Sequence, residues 1–159
     1  MKKSWSTKFL CQGAAIAGLY AALTILLAPI SFGANGALQL RVSEALTLLP
    51  MLTPAAVPGL FVGCLAANLI CGAPLADIVF GSLATLLAAL LTRRLRKTLY
   101  LAALPPVLCN GVIVGVMLSV VYSVPLFYSC LTVAGGEALA CYVLGIPLLK
   151  GVEKLKIWN

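Results

Sequence analysis

The chain contains no histidine and only four acidic residues. Without histidine it lacks the commonest metal ligand and the usual general base near neutral pH. Its six cysteines (Cys11, Cys64, Cys71, Cys109, Cys130 and Cys141) form no C-x-x-C pair, so metal-ligand or redox spacing is missing as well. They read as small apolar packing residues inside helices. Charge of either sign is scarce: 9% of the 159 residues are charged, against about 25% in soluble domains. With 62% hydrophobic residues, this composition describes an all-α integral membrane protein, a single membrane domain over 1–159 with almost no mass outside the bilayer. No G-x-x-x-x-G-K-[ST] loop is present, so energy for any transport must come from a partner or a gradient. The pattern calls for no metal and no cofactor.

The charges that are present mark the ends of spans. The formal net charge of +7 is gathered in Lys2/Lys3/Lys8, in Arg93-Arg94-Leu95-Arg96-Lys97 and in Lys150/Lys154/Lys156. Short basic segments at span ends are the positive-inside pattern, a simpler reading than nucleic-acid binding. Lys2, Lys3 and Lys8 also resemble the start of a secretory leader. The apolar run over 9–30, however, is as long as a full span, so a retained first helix is expected.

Apolar runs between breakers predict six transmembrane helices, at about 8–28, 38–49, 54–70, 75–91, 99–121 and 126–149. An even number of crossings then places all three basic clusters, and both termini, on the cytoplasmic side. As one helix, residues 38–70 would reach about 50 Å, enough for one normal and one short span. The second helix is too short to cross about 30 Å of hydrocarbon alone, so it must be surrounded by protein or border a cavity. The preceding stretch, APISFGANGALQL, is long enough to fold over the mouth of a pocket.

Three of the four acids lie inside or at the rim of apolar runs: Glu44, Asp77 and Glu137. A carboxylate in a bilayer costs about 2.5–3.5 kcal/mol on insertion scales unless it faces protein or water. Asn68 and Asn110 share that predicament, since a buried amide without a partner is also costly. Arg41 and Glu44 are three apart in RVSEAL, where a mutual ion pair and ligand contact are equally open readings. Asp77 also suits the first turn of a helix, whose macrodipole favours an acid. Thr85 and Ser119 suit bonding to their own helix backbone. Three carboxylates, one arginine and two asparagines form a polar site reachable from the outer half. Two carboxylates can in principle do acid–base work, but no nucleophile–base pair accompanies them, so binding is favoured over catalysis. Acceptors of this kind suit a ligand rich in N–H donors, such as a guanine edge with two adjacent donors.

Helix 1 carries small residues at four-residue spacing, Ala14/Gly18/Ala22 and Gly13/Ala17/Ala21. Such stripes let another helix approach closely, either inside the bundle or on a partner protein.

The stretches LAPISFG, RVSEALTLLP, DIVFGSLATLLAALL, LPPVLCNGVIVG and GEALACYVLGIPLLK resemble the queuosine-precursor transporter family over about 20–150. The resemblance implies a substrate-binding S-component of an energy-coupling factor (ECF) importer, multi-pass in the bacterial cytoplasmic membrane. Such a subunit takes up a 7-deazaguanine, for example 7-aminomethyl-7-deazaguanine or queuine, from an outward-facing pocket. It works with a transmembrane T-component and two ATPase subunits. The resemblance further implies docking to the T-component through Ala14, Ala17, Gly18, Ala21 and Ala22. Arg41, Glu44, Asn68, Asp77, Asn110 and Glu137 fall on polar positions of the family motifs. A stand-alone proton- or ion-coupled carrier titrating Asp77 or Glu137, an S-component for another vitamin-like substrate, and a membrane enzyme are the competing classes.

Overall fold

The computed structural model describes residues 6–31 and 41–155. Among these residues all regular structure is helical and forms six helices: α1 Thr7–Leu26, α2 Val42–Met51, α3 Ala56–Ile70, α4 over 77–94, α5 Leu99–Tyr122 and α6 Leu126–Lys154. One further turn, Ala28–Ser31, follows α1. The six-helix expectation holds, with boundaries shifted by a few residues at each end, as frayed helix termini allow. The start expected for the second helix, at 38, lies outside the described residues, as does most of the stretch expected to cover the pocket.

Helices α1, α5 and α6 are each long and apolar enough to cross a membrane, whereas α2 and α3 are shorter. The short second helix has an unexpected geometry. Val42–Met51 is a 3₁₀ helix of ten residues, although such runs seldom exceed three or four. Rising about 2.0 Å per residue, it reaches about 20 Å, where an α-helix of that length reaches about 15 Å. Thr47 supports the tighter winding, its hydroxyl donating to the carbonyl of Glu44 three residues back at 2.5 Å. Residues 43 to 50 are all buried. Such all-round burial puts the helix in the protein interior, where α2 is enclosed by α1, α3, α4 and α6.

Around α2 the longer helices pair through glycine. A Cβ added to Gly59 or Gly63 of α3 would lie 2.7 Å from the Gly13 carbonyl oxygen or 2.8 Å from that of Ala17 on α1. On α5, a Cβ at Gly111 or Gly115 would lie 2.9 Å from Ala134 Cβ or 2.7 Å from Cys130 Cα on α6. Both contacts use glycines four residues apart to bring helix backbones together. Two of the six small residues on helix 1 are therefore internal: Gly13 and Ala17 face α3. Ala14, Gly18 and Ala22 are exposed, and Ala21 is intermediate.

The basic clusters within the described residues meet at one end of the bundle. Gln12 of α1 accepts from Thr53 at 2.9 Å, beyond the end of α2. Arg93 donates to the Pro50 and Met51 carbonyls at 2.8 and 3.2 Å. Arg96, Lys97, Lys150 and Glu153 surround one recess with Met51 and Leu52. Lys8, residues 93–97 and Lys150 thus share an end, as the even number of crossings requires.

Candidate binding site

The buried polar residues gather nearer the opposite end. Tyr20 and Thr24, one turn apart on α1, are completely buried and face the start of α2. A buried tyrosine hydroxyl needs a partner, and Tyr20 donates to Glu44 Oε1. Thr24 Oγ1 lies 2.7 Å from Ser43 Oγ and 3.0 Å from the Tyr20 carbonyl. Just before α2, Arg41 Nη2 donates to Asp77 Oδ2 at 2.9 Å, with both side chains buried. The Arg41–Glu44 ion pair that spacing allowed gives way to this pairing with α4, while Glu44 turns to Tyr20.

Asp77 opens a π-helical turn, Asp77–Gly81, before α4 continues as Ser82–Arg94. A Cβ at Gly81 would lie 2.8 Å from Asp77 Oδ1, so this glycine leaves the carboxylate its room. Asn68 of α3 donates to the Asp77 carbonyl at 3.2 Å, joining the two helices behind the ion pair. Across the bundle, Asn110 Nδ2 of α5 donates to Glu137 Oε1 of α6 at 2.8 Å. Asn110 lies twelve residues before the end of Leu99–Tyr122 and Glu137 eleven after the start of Leu126–Lys154. At 1.5 Å per residue both are about 17 Å from those ends, near mid-span. A second π-helical turn, Leu139–Gly145, begins just after Glu137. Such turns recur at functional sites because they re-aim the side chains around them.

Arg41, Glu44, Asn110 and Glu137, with Gly81, Thr85, Val114 and Val133, enclose one cavity of about 10 Å³. Asp77 and Asn68 stand behind Arg41 and are not part of the wall. Glu44 Oε2, Glu137 Oε2 and Asn110 Oδ1 are buried and have no hydrogen-bond partner among the described residues. Every one of these is an acceptor, and a buried acceptor without a donor costs about 1–3 kcal/mol. Counted as ionised, Glu44, Glu137 and Asp77 against Arg41 give this region a charge of −2. Unpartnered acceptors of this kind can receive N–H donors. The volume is close to that of one water, whereas small-molecule pockets hold about 300–1,000 Å³, so a ligand requires the walls to part. Among the described residues, no group of three His, Cys, Asp or Glu side chains is placed to hold a metal ion.

Residues 10–154 match the family model of the QueT transporter. The chain belongs to the QueT transporter family. The match runs through all six helices and every residue of the cavity wall, so membrane transport is the function of this bundle. Comparison with curated proteins and with solved structures gives no match.

Four of the six polar residues singled out in the sequence, Arg41, Glu44, Asn110 and Glu137, share the cavity wall. Thr85 and Gly81 were not anticipated there, nor was Tyr20, which holds Glu44 from outside the wall. Tyr20 had a signal, being a hydroxyl within a largely apolar helix. Thr85 donates to the Gly81 carbonyl of its own helix at 3.0 Å, as expected, yet it also forms part of the wall. Ser119 does not bond back into its helix but reaches forward to the Val124 carbonyl at 2.7 Å. Cys64 and Cys141 are buried beside the polar cluster: Cys64 Sγ is 3.5 Å from Thr85 Oγ1, and Cys141 Sγ is 3.5 Å from Thr47 Oγ1.

Proposed function

We propose that the chain is the substrate-binding S-component of an ECF importer and takes up a queuosine precursor, a 7-deazaguanine. The observation that carries this reading is the set of unpartnered acceptors, Glu44 Oε2, Glu137 Oε2 and Asn110 Oδ1, on residues that enclose one cavity. A guanine edge offers two adjacent N–H donors to a single carboxylate, a paired geometry that adds both strength and specificity. Glu137 takes that edge, with Asn110 holding its other oxygen. Glu44, held by Tyr20, faces the aminomethyl nitrogen of a cationic precursor. Asp77 and Asn68 act through Arg41, fixing its guanidinium at the rim. The negative balance of the site favours 7-aminomethyl-7-deazaguanine or queuine over an uncharged base.

Energy comes from two ATPase subunits reached through a T-component. The exposed stripe Ala14/Gly18/Ala22 is the surface offered to that partner, because Gly13 and Ala17 are occupied by α3. The basic end of the bundle lies on the cytoplasmic side of the bacterial membrane, and the site opens outward.

A stand-alone carrier is the alternative. Arg41 already engages Asp77 in an ion pair, so Glu137 is the carboxylate such a carrier would use. The decisive experiment is calorimetry of the purified chain with 7-deazaguanines, followed by uptake into proteoliposomes with and without T-component and ATPases. Binding without partners, and uptake only with them and ATP, is the expected result. Uptake by the chain alone along a proton gradient would overturn the reading.

A further inference from the structure

The basic end of the bundle contains a recess that the transport site does not use. The turn after α2, the α4–α5 connection and the last turns of α6 enclose about 260 Å³ there. Leu52, Leu99 and Leu149 make the recess apolar within, while Arg96, Lys97 and Lys150 stand around it against a single acid, Glu153. Arg93 has another task, since it donates to the carbonyls of Pro50 and Met51 and so holds one wall in place. Arg96, Lys97 and Lys150 make no ion pair among the described residues. Arg94 and Lys154 add to the crowding of like charge nearby.

We propose that this recess binds the headgroup of an anionic phospholipid. Its combination of features distinguishes a lipid from a free anion. A dissolved phosphate needs only positive charge, whereas a phospholipid needs charge continuous with apolar surface at the depth where helices leave the hydrocarbon. Both conditions are met. Tyr100, Leu101 and Leu104 on α5 and Leu148 on α6, each within five residues of a lining leucine, are exposed apolar surface for acyl chains. Basic recesses between helix ends are a recurrent setting for acidic headgroups. A negatively charged phosphodiester relieves the repulsion among the cations, which a zwitterionic headgroup does not. The site is independent of the substrate cavity and of which leaflet the basic end occupies.

Native mass spectrometry of the full chain, in micelles containing phosphatidylglycerol or phosphatidylcholine with identical acyl chains, tests the proposal. The wild type should retain phosphatidylglycerol preferentially, and glycerol phosphate should not displace it. Arg96→Gln with Lys150→Gln should lower that retention about tenfold. Arg94→Gln with Lys154→Gln removes the same charge outside the recess and should change retention by no more than about twofold. Glu153→Gln, which threatens folding least, should raise retention. Equal losses in the two double variants would reduce the effect to general surface charge and overturn the site. Displacement by glycerol phosphate would make it a free-anion site and also overturn the proposal. So would unchanged retention in Arg96→Gln/Lys150→Gln, including the case in which that variant instead loses a protein partner.

Discussion

Tyr20 on α1 donates its hydroxyl hydrogen to Glu44 on α2, with both residues fully enclosed by protein. One turn further along α1, Thr24 meets Ser43. The helix whose outer face carries Ala14, Gly18 and Ala22 is therefore bonded on its inner face to a carboxylate of the cavity wall. Any movement of α1 would therefore reach Glu44 directly. Tyr20→Phe keeps the ring and removes the donor. Loss of a hydrogen bond to a charged group is worth about 1.5–3 kcal/mol, so affinity for a 7-deazaguanine should fall about ten- to a hundredfold without unfolding. Calorimetry beside circular dichroism measures both, and wild-type affinity in Tyr20→Phe would show that Glu44 needs no such positioning.

The two small-residue series on α1 should separate by mutation. A Cβ at Gly18 meets nothing within 4 Å, whereas Ala17 is packed against Gly63 of α3. Gly18→Trp should abolish ATP-driven uptake and leave substrate binding near wild type. Ala17→Trp should damage the α1–α3 contact itself and lower thermal stability. Equal loss of binding in both variants would mean that the exposed stripe serves folding rather than docking.

Gly81 gives a test of the ion pair. In Gly81→Ala the new methyl comes within 2.8 Å of Asp77 Oδ1 and pushes the carboxylate away from Arg41. Removing one partner of a buried pair costs about 3–5 kcal/mol, and displacing it should cost a fraction of that. The thermal midpoint in detergent should drop, and by less than in Asp77→Ala. A midpoint equal to that of the wild type would show that the pair tolerates the shift.

Orientation is open to direct labelling. Position 95 lies in the basic turn after α4, at the end shared with Lys8 and Lys150. A Leu95→Cys reporter in a cysteine-free variant should react with an impermeant thiol reagent only after the cells are opened. Labelling in intact cells would invert the topology and place the cavity on the cytoplasmic side.

The helices and most of the polar wall were legible because bilayers tolerate few polar groups. Glu44, Asn110 and Glu137 stand out against apolar neighbours, and their cost there is a reason to seek partners. The partners themselves were not legible. Arg41, in extended backbone just before the 3₁₀ winding of α2, finds Asp77 on the π turn of α4 thirty-six residues away and not Glu44 three away. Neither departure from α-geometry leaves a mark in apolar periodicity. The glycines of α3 and α5 were equally silent, since a small residue in a membrane helix declares close packing without naming the neighbour. Gly13 and Ala17 resolve to α3 only once the bundle is assembled.

The central claim is that Glu137, held by Asn110 at 2.8 Å, accepts the paired donors of the base. Glu137→Gln preserves the size of the side chain and replaces one charged acceptor with an amide. The loss of a charged hydrogen bond in this enclosed setting should cost about 1.5–3 kcal/mol, or about ten- to a hundredfold in affinity. Calorimetry of Glu137→Gln with 7-aminomethyl-7-deazaguanine and queuine makes the measurement. A drop of that size in a folded variant is the predicted result. Unchanged affinity for both ligands would contradict the account and remove Glu137 from the site.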